Sequence, residues 1–175
     1  MPRLLFVCQA NVARSPSAEI IARRRIGRSS DWRVASVGTH ALEGYGIAPE
    51  LGAALERRGL EVTGHRARQV TRAMIDRADL VLTFQVDHRK WCLREAPGSS
   101  GKVLTIRRAA ALLEDIPSRA EPLSYLSHDG ERYTSEADDF DDPFGHGPEA
   151  AELAVTDIDR LLLGILPALG AAPRD

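Results

Sequence analysis

The sequence predicts an α/β fold: an open four-stranded parallel sheet with helices on both faces. Three observations lead to this class. Short apolar runs of strand composition alternate along the chain with longer stretches of helical periodicity. The clearest run, ADLVLTF at 78–84, is apolar without interruption, as in a strand buried on both faces. The first run ends on a cysteine and leads through a short polar segment into a helix, which places that segment where parallel sheets bind ligands.

The first half of the chain is predicted to hold two strands and two helices: the strand 3–8, the helix 15–27, the strand 32–39 and the helix 48–60. The first helix has a marked start. Ser15 can act as its N-cap, Pro16 stands where a missing N–H costs nothing, and Glu19 falls in the first turn. The second helix is indicated by leucine and alanine at helical spacing and by a stop at Gly59.

The second half is predicted to alternate in the same way: the strand 78–84, the helix 86–96, the strand 102–106 and the helix 148–169. The last helix carries one apolar stripe. Before it, residues 115–147 are polar, acidic and rich in turn formers, without a clear period. This stretch is longer than an ordinary connection within a compact domain. We therefore expect a single domain over 1–175 with a long polar loop at about 115–147.

Composition and charge exclude several classes of protein. Hydrophobic residues make up 43% of the 175 residues and charged residues 27%, which suits a globular domain. A formal net charge of −2 argues against a general nucleic-acid binder. The apolar run at the N-terminus is about five residues long, too short for a membrane span or a secretory signal, so we expect a cytoplasmic protein that does not bind membranes. With two cysteines and five scattered histidines, no metal site and no cofactor are expected. We expect a monomer or a weak dimer.

The segment CQANVARS, residues 8–15, joins the first strand to the first helix and suits a tetrahedral oxyanion. Backbone N–H groups of residues 9–14 would point inward as an anion nest, and the helix would aim its positive end at the same point. Arg14 would supply a planar fork of donors for two phosphoryl oxygens. In that field Cys8 would be stabilised as a thiolate that attacks phosphorus and forms a thiophosphate. The predicted fold therefore includes a phosphate-binding loop between strand 1 and helix 1.

Several segments resemble the low-molecular-weight protein tyrosine phosphatases, in the order in which that family has them. The N-terminal stretch is similar to the family signature V-C-x-G-N-x-C-R-S-P-x-A-E. ASVGTHALEG resembles the S-A-G-T segment, GHRARQVT the G-H-x-A-R segment, and ADLVLTF the A-D-L-I-L-x-M strand. DDP at 141–143 resembles the D-P loop that carries the general acid. The resemblance implies a divergent bacterial member that dephosphorylates phosphotyrosine in proteins, or another aryl phosphate, through a cysteinyl phosphate and without a metal.

The resemblance also assigns roles within the loop. Cys8 is expected to be the nucleophile and Arg14 the phosphate clamp. Asn11 is expected to hold the loop conformation, and Ser15 to donate a hydrogen bond to the thiolate. The expected phosphate-binding set is Gln9, Ala10, Asn11, Val12, Ala13, Arg14 and Ser15.

Three loop positions bear on activity and substrate. Ala10 replaces the glycine of the family signature, and a positive φ at this residue would cost roughly 1–2 kcal/mol. Ala13 replaces the second cysteine, which the family uses to trap the oxidised nucleophile as a disulfide. At the variable position, relatives that act on phosphotyrosine carry an apolar residue and relatives that act on phosphoarginine carry threonine, so for the apolar, β-branched Val12 the resemblance implies phosphotyrosine.

The leaving oxygen needs a proton, and the acidic run EADDFDDPFG offers five carboxyl groups. The residues alone do not choose among them. The resemblance to the D-P motif selects Asp142, since Pro143 restricts the residue before it, with Asp141 as the alternative. The rest of the run is expected to be solvated surface. Phe144 can stack on an aryl ring, and Tyr45 is the candidate for the opposite wall.

Two other functions stay open on the sequence. An arsenate reductase of the same fold passes oxidation from the loop cysteine to two further cysteines. Cys92 lies near the position of the last one, whereas Gln85 occupies the other. A non-catalytic phosphate-binding module is suggested by Ala10 and Ala13. The retained nucleophile, clamp and acid together argue against that module.

Overall fold

A computed structural model describes residues 1–27, 30–130 and 135–171. The strands are β1 (Arg3–Cys8), β2 (Arg33–Gly38), β3 (Leu80–Thr83) and β4 (Val103–Thr105). The helices are α1 (Arg14–Ile26), α2 (Pro49–Glu56), α3 (Arg72–Arg77), α4 (Val86–Glu95), α5 (Ile106–Glu114), α6 (Pro122–Gly130) and α7 (Gly147–Ala168). Two 3₁₀ helices cover Pro97–Lys102 and Glu136–Asp138. Over these described ranges, no helix has the length and apolar character needed to cross a bilayer.

The four strands form one parallel sheet in the order β2-β1-β3-β4, which confirms the predicted α/β class. In this register Cys8 lies beside Gly38 of β2, and Val7 lies beside Thr83 of β3. The carboxyl ends of three neighbouring strands therefore meet at one edge of the sheet. Such an edge is where open parallel sheets bind their ligands.

Two hydrophobic clusters lie on opposite faces of the sheet. Side chains alternate along β1, so that Leu4 belongs to one cluster and Leu5 to the other. The larger cluster is completed by α1, α2, α5 and α7, and the smaller one by α3 and α4. Cys8 belongs to the larger cluster and Cys92 to the smaller, and both are free thiols. The sheet therefore separates the two thiols.

The long polar loop predicted at about 115–147 is wrong in part, because it contains α6 and the 3₁₀ helix Glu136–Asp138. Positions 131–134 of that stretch lie outside the described residues. Helix α6 buries Leu126 completely and Leu123 and Tyr125 only partly, which explains the weak periodicity. Helix α5 was not predicted either. It begins at Ile106 directly after β4, so no turn signal marks its start.

The start of α1 differs from the prediction in its cap. The helix begins at Arg14, and its N-cap is Ala13, which offers no side-chain hydrogen bond. Ser15 is therefore not the cap, because its hydroxyl contacts Cys8 instead. Glu19 lies beyond the first turn, where its carboxylate accepts a hydrogen bond from the Ser36 hydroxyl at 2.5 Å. The first N–H groups of α1 are thus left without a side-chain cap, facing the loop.

Candidate active site

The loop between β1 and α1 carries its carbonyl groups on the outside. Six consecutive carbonyls, from Cys8 to Ala13, accept hydrogen bonds of 2.8–3.2 Å. In chain order, their donors are Thr39 N, His40 N, Leu42 N, His65 Nε2, Ala48 N and Ser17 N. In a trans peptide the N–H points away from the carbonyl of the preceding residue. The N–H groups of residues 9–14 therefore lie on the inner side, as an anion nest requires.

The end of β2 packs directly against this loop. A Cβ on Gly38 would lie 2.4 Å from the Gln9 carbonyl oxygen and 3.0 Å from the Asn11 nitrogen. Gly38 is itself fixed, because its N–H donates to the Arg68 carbonyl and its carbonyl accepts from Val70 N. Glycine is required here by close approach of two backbones.

Asn11 holds the loop in a left-handed conformation, with φ at 55°. Its Nδ2 donates to Ser15 Oγ at 2.8 Å and to Ser36 Oγ at 3.0 Å. Its Oδ1 accepts from the Arg68 backbone N–H at 2.9 Å. Asparagine tolerates this conformation better than most residues. The strain anticipated at Ala10 is wrong, because within the described chain the positive φ of a non-glycine residue occurs at Asn11 alone.

Cys8 ends β1 with its side chain buried and its Sγ 3.0 Å from Ser15 Oγ. The Ser15 hydroxyl also lies 3.1 Å from the Val37 carbonyl oxygen, to which it can donate. A hydroxyl has a single proton. It can donate to Val37 when Cys8 keeps its own proton, and to the sulfur when Cys8 is a thiolate. Ser15 can therefore adapt to either charge state of Cys8.

Arg14 is 1% exposed and links the loop to the segment that carries Asp142. Its Nη1 donates to the Phe140 carbonyl oxygen at 2.9 Å, and its Nη2 pairs with Asp142 Oδ2 at 2.9 Å. Its Nε is buried and has no hydrogen-bond partner in the described part of the chain. A buried donor without a partner is costly. A bound anion would satisfy it.

The carboxylates of the acidic run have different surroundings. Asp142 faces Arg14, and its Oδ1 accepts from Phe144 N at 3.2 Å. Asp139 accepts from Val86 N at 2.7 Å, at the start of α4. The expectation of solvated surface is therefore wrong for Asp139, while Asp141 is exposed. Across residues 1–27, 30–130 and 135–171, no three acidic, histidine or cysteine side chains gather as a metal site would require.

The two aromatic candidates are exposed, Tyr45 by 66% and Phe144 by 48%. Tyr45 lies in the segment 39–48, whose N–H groups hold the carbonyls of the loop. Phe144 lies two residues after Asp142 and is tied to it through its N–H. Both rings thus stand on segments attached to the loop or to the acid, and a role in holding an aryl ring stays a prediction.

Two histidines near the loop are made less basic by burial. Burial lowers the pKa of His65, whose Nε2 donates to the Asn11 carbonyl at 2.8 Å. In α4, burial and then the charge of Arg14 lower the pKa of His88 to about 3. The Nδ1 of His88 is buried without a partner among the described residues. Sequence reasoning gave no role to these histidines or to Ser36. For Ser36, the feature of the sequence that could have indicated a role is the set of small residues at the end of β2.

Comparison with known proteins agrees with this geometry. The family model for low molecular weight phosphotyrosine protein phosphatase matches residues 3–171. Over 122 residues the chain is 29% identical to the probable low molecular weight protein-tyrosine-phosphatase EpsP of Ralstonia solanacearum, covering 70% of this chain and 82% of that protein. Over 101 residues it is 35% identical to the low molecular weight protein-tyrosine-phosphatase Wzb of Escherichia coli K12, which covers 58% of this chain and 67% of that protein. The YwlE arginine phosphatase structure from Geobacillus stearothermophilus matches with a TM-score of 0.76 at 24% identity. The match covers 97% of this chain and 94% of that one. The chain belongs to the low-molecular-weight protein tyrosine phosphatase family.

Proposed function

We propose that this protein hydrolyses phosphotyrosine in proteins, or a related aryl phosphate, through a cysteinyl phosphate and without a metal. The observation that carries the proposal is the position of Arg14. This buried guanidinium holds Asp142 on one side and keeps Nε free beside the loop that begins at Cys8. In the proposed site, the nucleophile, the anion nest, the cation and the acid would act on one phosphoryl group at the sheet edge.

In the first step the Cys8 thiolate attacks phosphorus while the bond from phosphorus to the aryl oxygen breaks. The inner N–H groups of residues 9–14 and Arg14 Nε would hold the equatorial oxygens as charge builds up. Asp142, when protonated, gives its proton to the leaving oxygen. The products of this step are the free phenol and a phosphorylated Cys8.

In the second step water attacks phosphorus and the sulfur leaves as a thiolate. Asp142, now a carboxylate, takes a proton from the water. Ser15 Oγ lies 3.0 Å from the sulfur and can donate to the emerging thiolate. Inorganic phosphate is released, and Cys8 and Asp142 return to their starting states.

The Arg14–Asp142 pair supports an exchange of partners on substrate binding. Asp142 Oδ2 and Arg14 Nη2 are 2.9 Å apart. A phosphoryl group carries up to two negative charges and would compete for the guanidinium. Asp142, which is 40% exposed, would then turn toward the leaving oxygen. The same cation would serve the acid before binding and the phosphate afterwards.

The alternatives find less support. Cys92 is fully buried, and burial raises the pKa of its thiol to about 12. A relay of oxidation needs an accessible thiolate, so arsenate reduction is disfavoured.

The second alternative, a phosphate-binding loop that has lost catalysis, is disfavoured by the conformation of Ala10. This residue lies outside the left-handed region, and its carbonyl accepts a hydrogen bond from Leu42 N, just as the neighbouring loop carbonyls accept hydrogen bonds from donors of their own. The apolar Val12 at the variable loop position and the two exposed aromatic side chains support an aryl ester. We expect the enzyme in the cytoplasm.

The first test compares the wild type with Cys8→Ser on a phosphotyrosine peptide, with phosphoserine and phosphoarginine substrates beside it. We expect the wild type to prefer phosphotyrosine. The serine variant should bind phosphate and show no turnover, because its hydroxyl does not ionise near neutral pH. Residual turnover above a few per cent would remove Cys8 from the role of nucleophile.

The second test assigns the acid with a matched pair of neighbours. Asp142→Asn should slow esters of weakly acidic phenols by about 10²–10⁴-fold, and esters of acidic phenols much less. Asp141→Asn changes the same charge one residue away and should keep the wild-type dependence on the leaving group. A steep dependence in Asp141→Asn instead would move the acid to that residue.

A further inference from the structure

The segment that carries Asp142 is anchored through Phe140, which is 3% exposed. The Phe140 N–H donates to the Phe84 carbonyl at 2.7 Å. Its carbonyl accepts from Arg14 Nη1 at 2.9 Å. Its ring meets the ring of Phe84 edge to face, with centroids 5.5 Å apart at 89°. Backbone and ring thus fix one residue that lies two positions before the acid.

Arg107 in α5 lies over the ring of Phe140, with its Cζ 4.9 Å from the centroid. This is the geometry of a cation–π contact. Phe140 also lines an open cavity of about 610 Å³ together with Asp142 and Pro143. The guanidinium therefore covers a ring that borders solvent. Its Nη2 is 4.0 Å from Asp157 Oδ2 of α7.

We propose that Arg107 is a positioning residue for the general acid, acting through Phe140; this rests on the role proposed above for Asp142. If the ring of Phe140 is released, the backbone that leads from it to Asp142 is free to shift. Proton transfer depends on the position of the acid. Phosphate binding depends on the loop of residues 9–14, to which Arg107 does not belong. The two functions should therefore separate in an Arg107 variant.

The test uses Arg107→Met, which keeps an apolar side chain over the ring and removes the charge. Arg160→Met is the matched control, because Arg160 pairs with the same Asp157 at 3.0 Å. We expect kcat/KM for phenyl phosphate to fall about threefold to tenfold further than that for p-nitrophenyl phosphate in Arg107→Met. The inhibition constant of inorganic phosphate should stay unchanged. Arg107→Lys should recover part of the loss, and Arg160→Met should match the wild type.

An equal fall for both esters, or the same effect in Arg160→Met, would overturn the proposal. Amide hydrogen exchange at Phe140 gives a readout that does not need activity. The N–H should exchange faster in Arg107→Met and at the wild-type rate in Arg160→Met; equal protection in all three proteins would also overturn the proposal. A wild type that hydrolyses neither ester would refute the proposed function, and the exchange rates would still decide whether Arg107 holds the segment.

Discussion

Replacing Gly38 by alanine should damage the phosphate loop without adding a polar or charged group. The new Cβ would lie 2.4 Å from the Gln9 carbonyl oxygen, where ordinary contacts begin near 3.4 Å, so the two must separate by about 1 Å. Neither side moves freely, because Gly38 is hydrogen-bonded on both sides and the Gln9 carbonyl is held by His40 N. A displacement of about 1 Å at a reacting centre lowers the rate by about 100-fold. Overpacking adds a loss of about 1–3 kcal/mol in stability.

The assay is kcat/KM for p-nitrophenyl phosphate, with inhibition by inorganic phosphate and urea unfolding beside it. We expect Gly38→Ala to lose about 100-fold in kcat/KM and to bind phosphate more weakly. Gly52→Ala in α2 is the matched control, since its Cβ would meet only Val62 Cγ2, at 3.9 Å. Alanine in a helix interior should raise the free energy of unfolding by roughly 0.5–1 kcal/mol and leave activity unchanged.

Two results would refute this reasoning. Wild-type kcat/KM in Gly38→Ala would mean that the loop donors can move without consequence. A loss of activity fully explained by the unfolded fraction would mean that the substitution acts on stability and leaves the geometry of the loop intact.

Three further predictions concern charge, oxidation and pH. Arg14→Lys should lose more than about tenfold in kcat/KM for aryl phosphates, because an ammonium cannot replace the planar fork; steady-state kinetics would show it. Peroxide should inactivate the enzyme at Cys8 with poor recovery in thiols, and mass spectrometry should find no bridge to Cys92 across the sheet. His88 stays neutral when folded down to about pH 3, whereas the unfolded chain takes a proton below about 6.5. Stability should therefore fall as pH drops through this window, by roughly 2 kcal/mol at pH 5, and His88→Gln should flatten that slope in urea unfolding.

The sequence was informative where the signals are local. The apolar run before Cys8, and Pro16 just after the loop, mark the end of a strand and the start of a helix within a few residues. The bounds of β1 are therefore as predicted, and α1 differs by one residue at each end. The parallel direction of the strands also follows from local alternation, because parallel neighbours need a crossover connection such as a helix.

The parts that could not be predicted depend on contacts between distant residues. Arg14 and Phe140 are 126 positions apart, and their hydrogen bond follows from the packing of the acid segment on β3. Ser15 illustrates a competition that the sequence does not resolve. Its residue type suits an N-cap, but the nearby thiol and the Val37 carbonyl use the hydroxyl instead. Helix α6 was missed because a single buried leucine gives no periodic pattern.

The outward carbonyls of the loop also couple anion binding to the stability of the whole protein. The donors that hold them come from residues 17, 39–48 and 65, which an unfolded chain does not bring together. An oxyanion that binds the nest therefore binds the folded state alone, and at 100 times its dissociation constant it would add about 2.7 kcal/mol to the free energy of unfolding. Inorganic phosphate is the product of the proposed reaction. Rising phosphate would thus slow turnover and lengthen the lifetime of the folded enzyme at the same time.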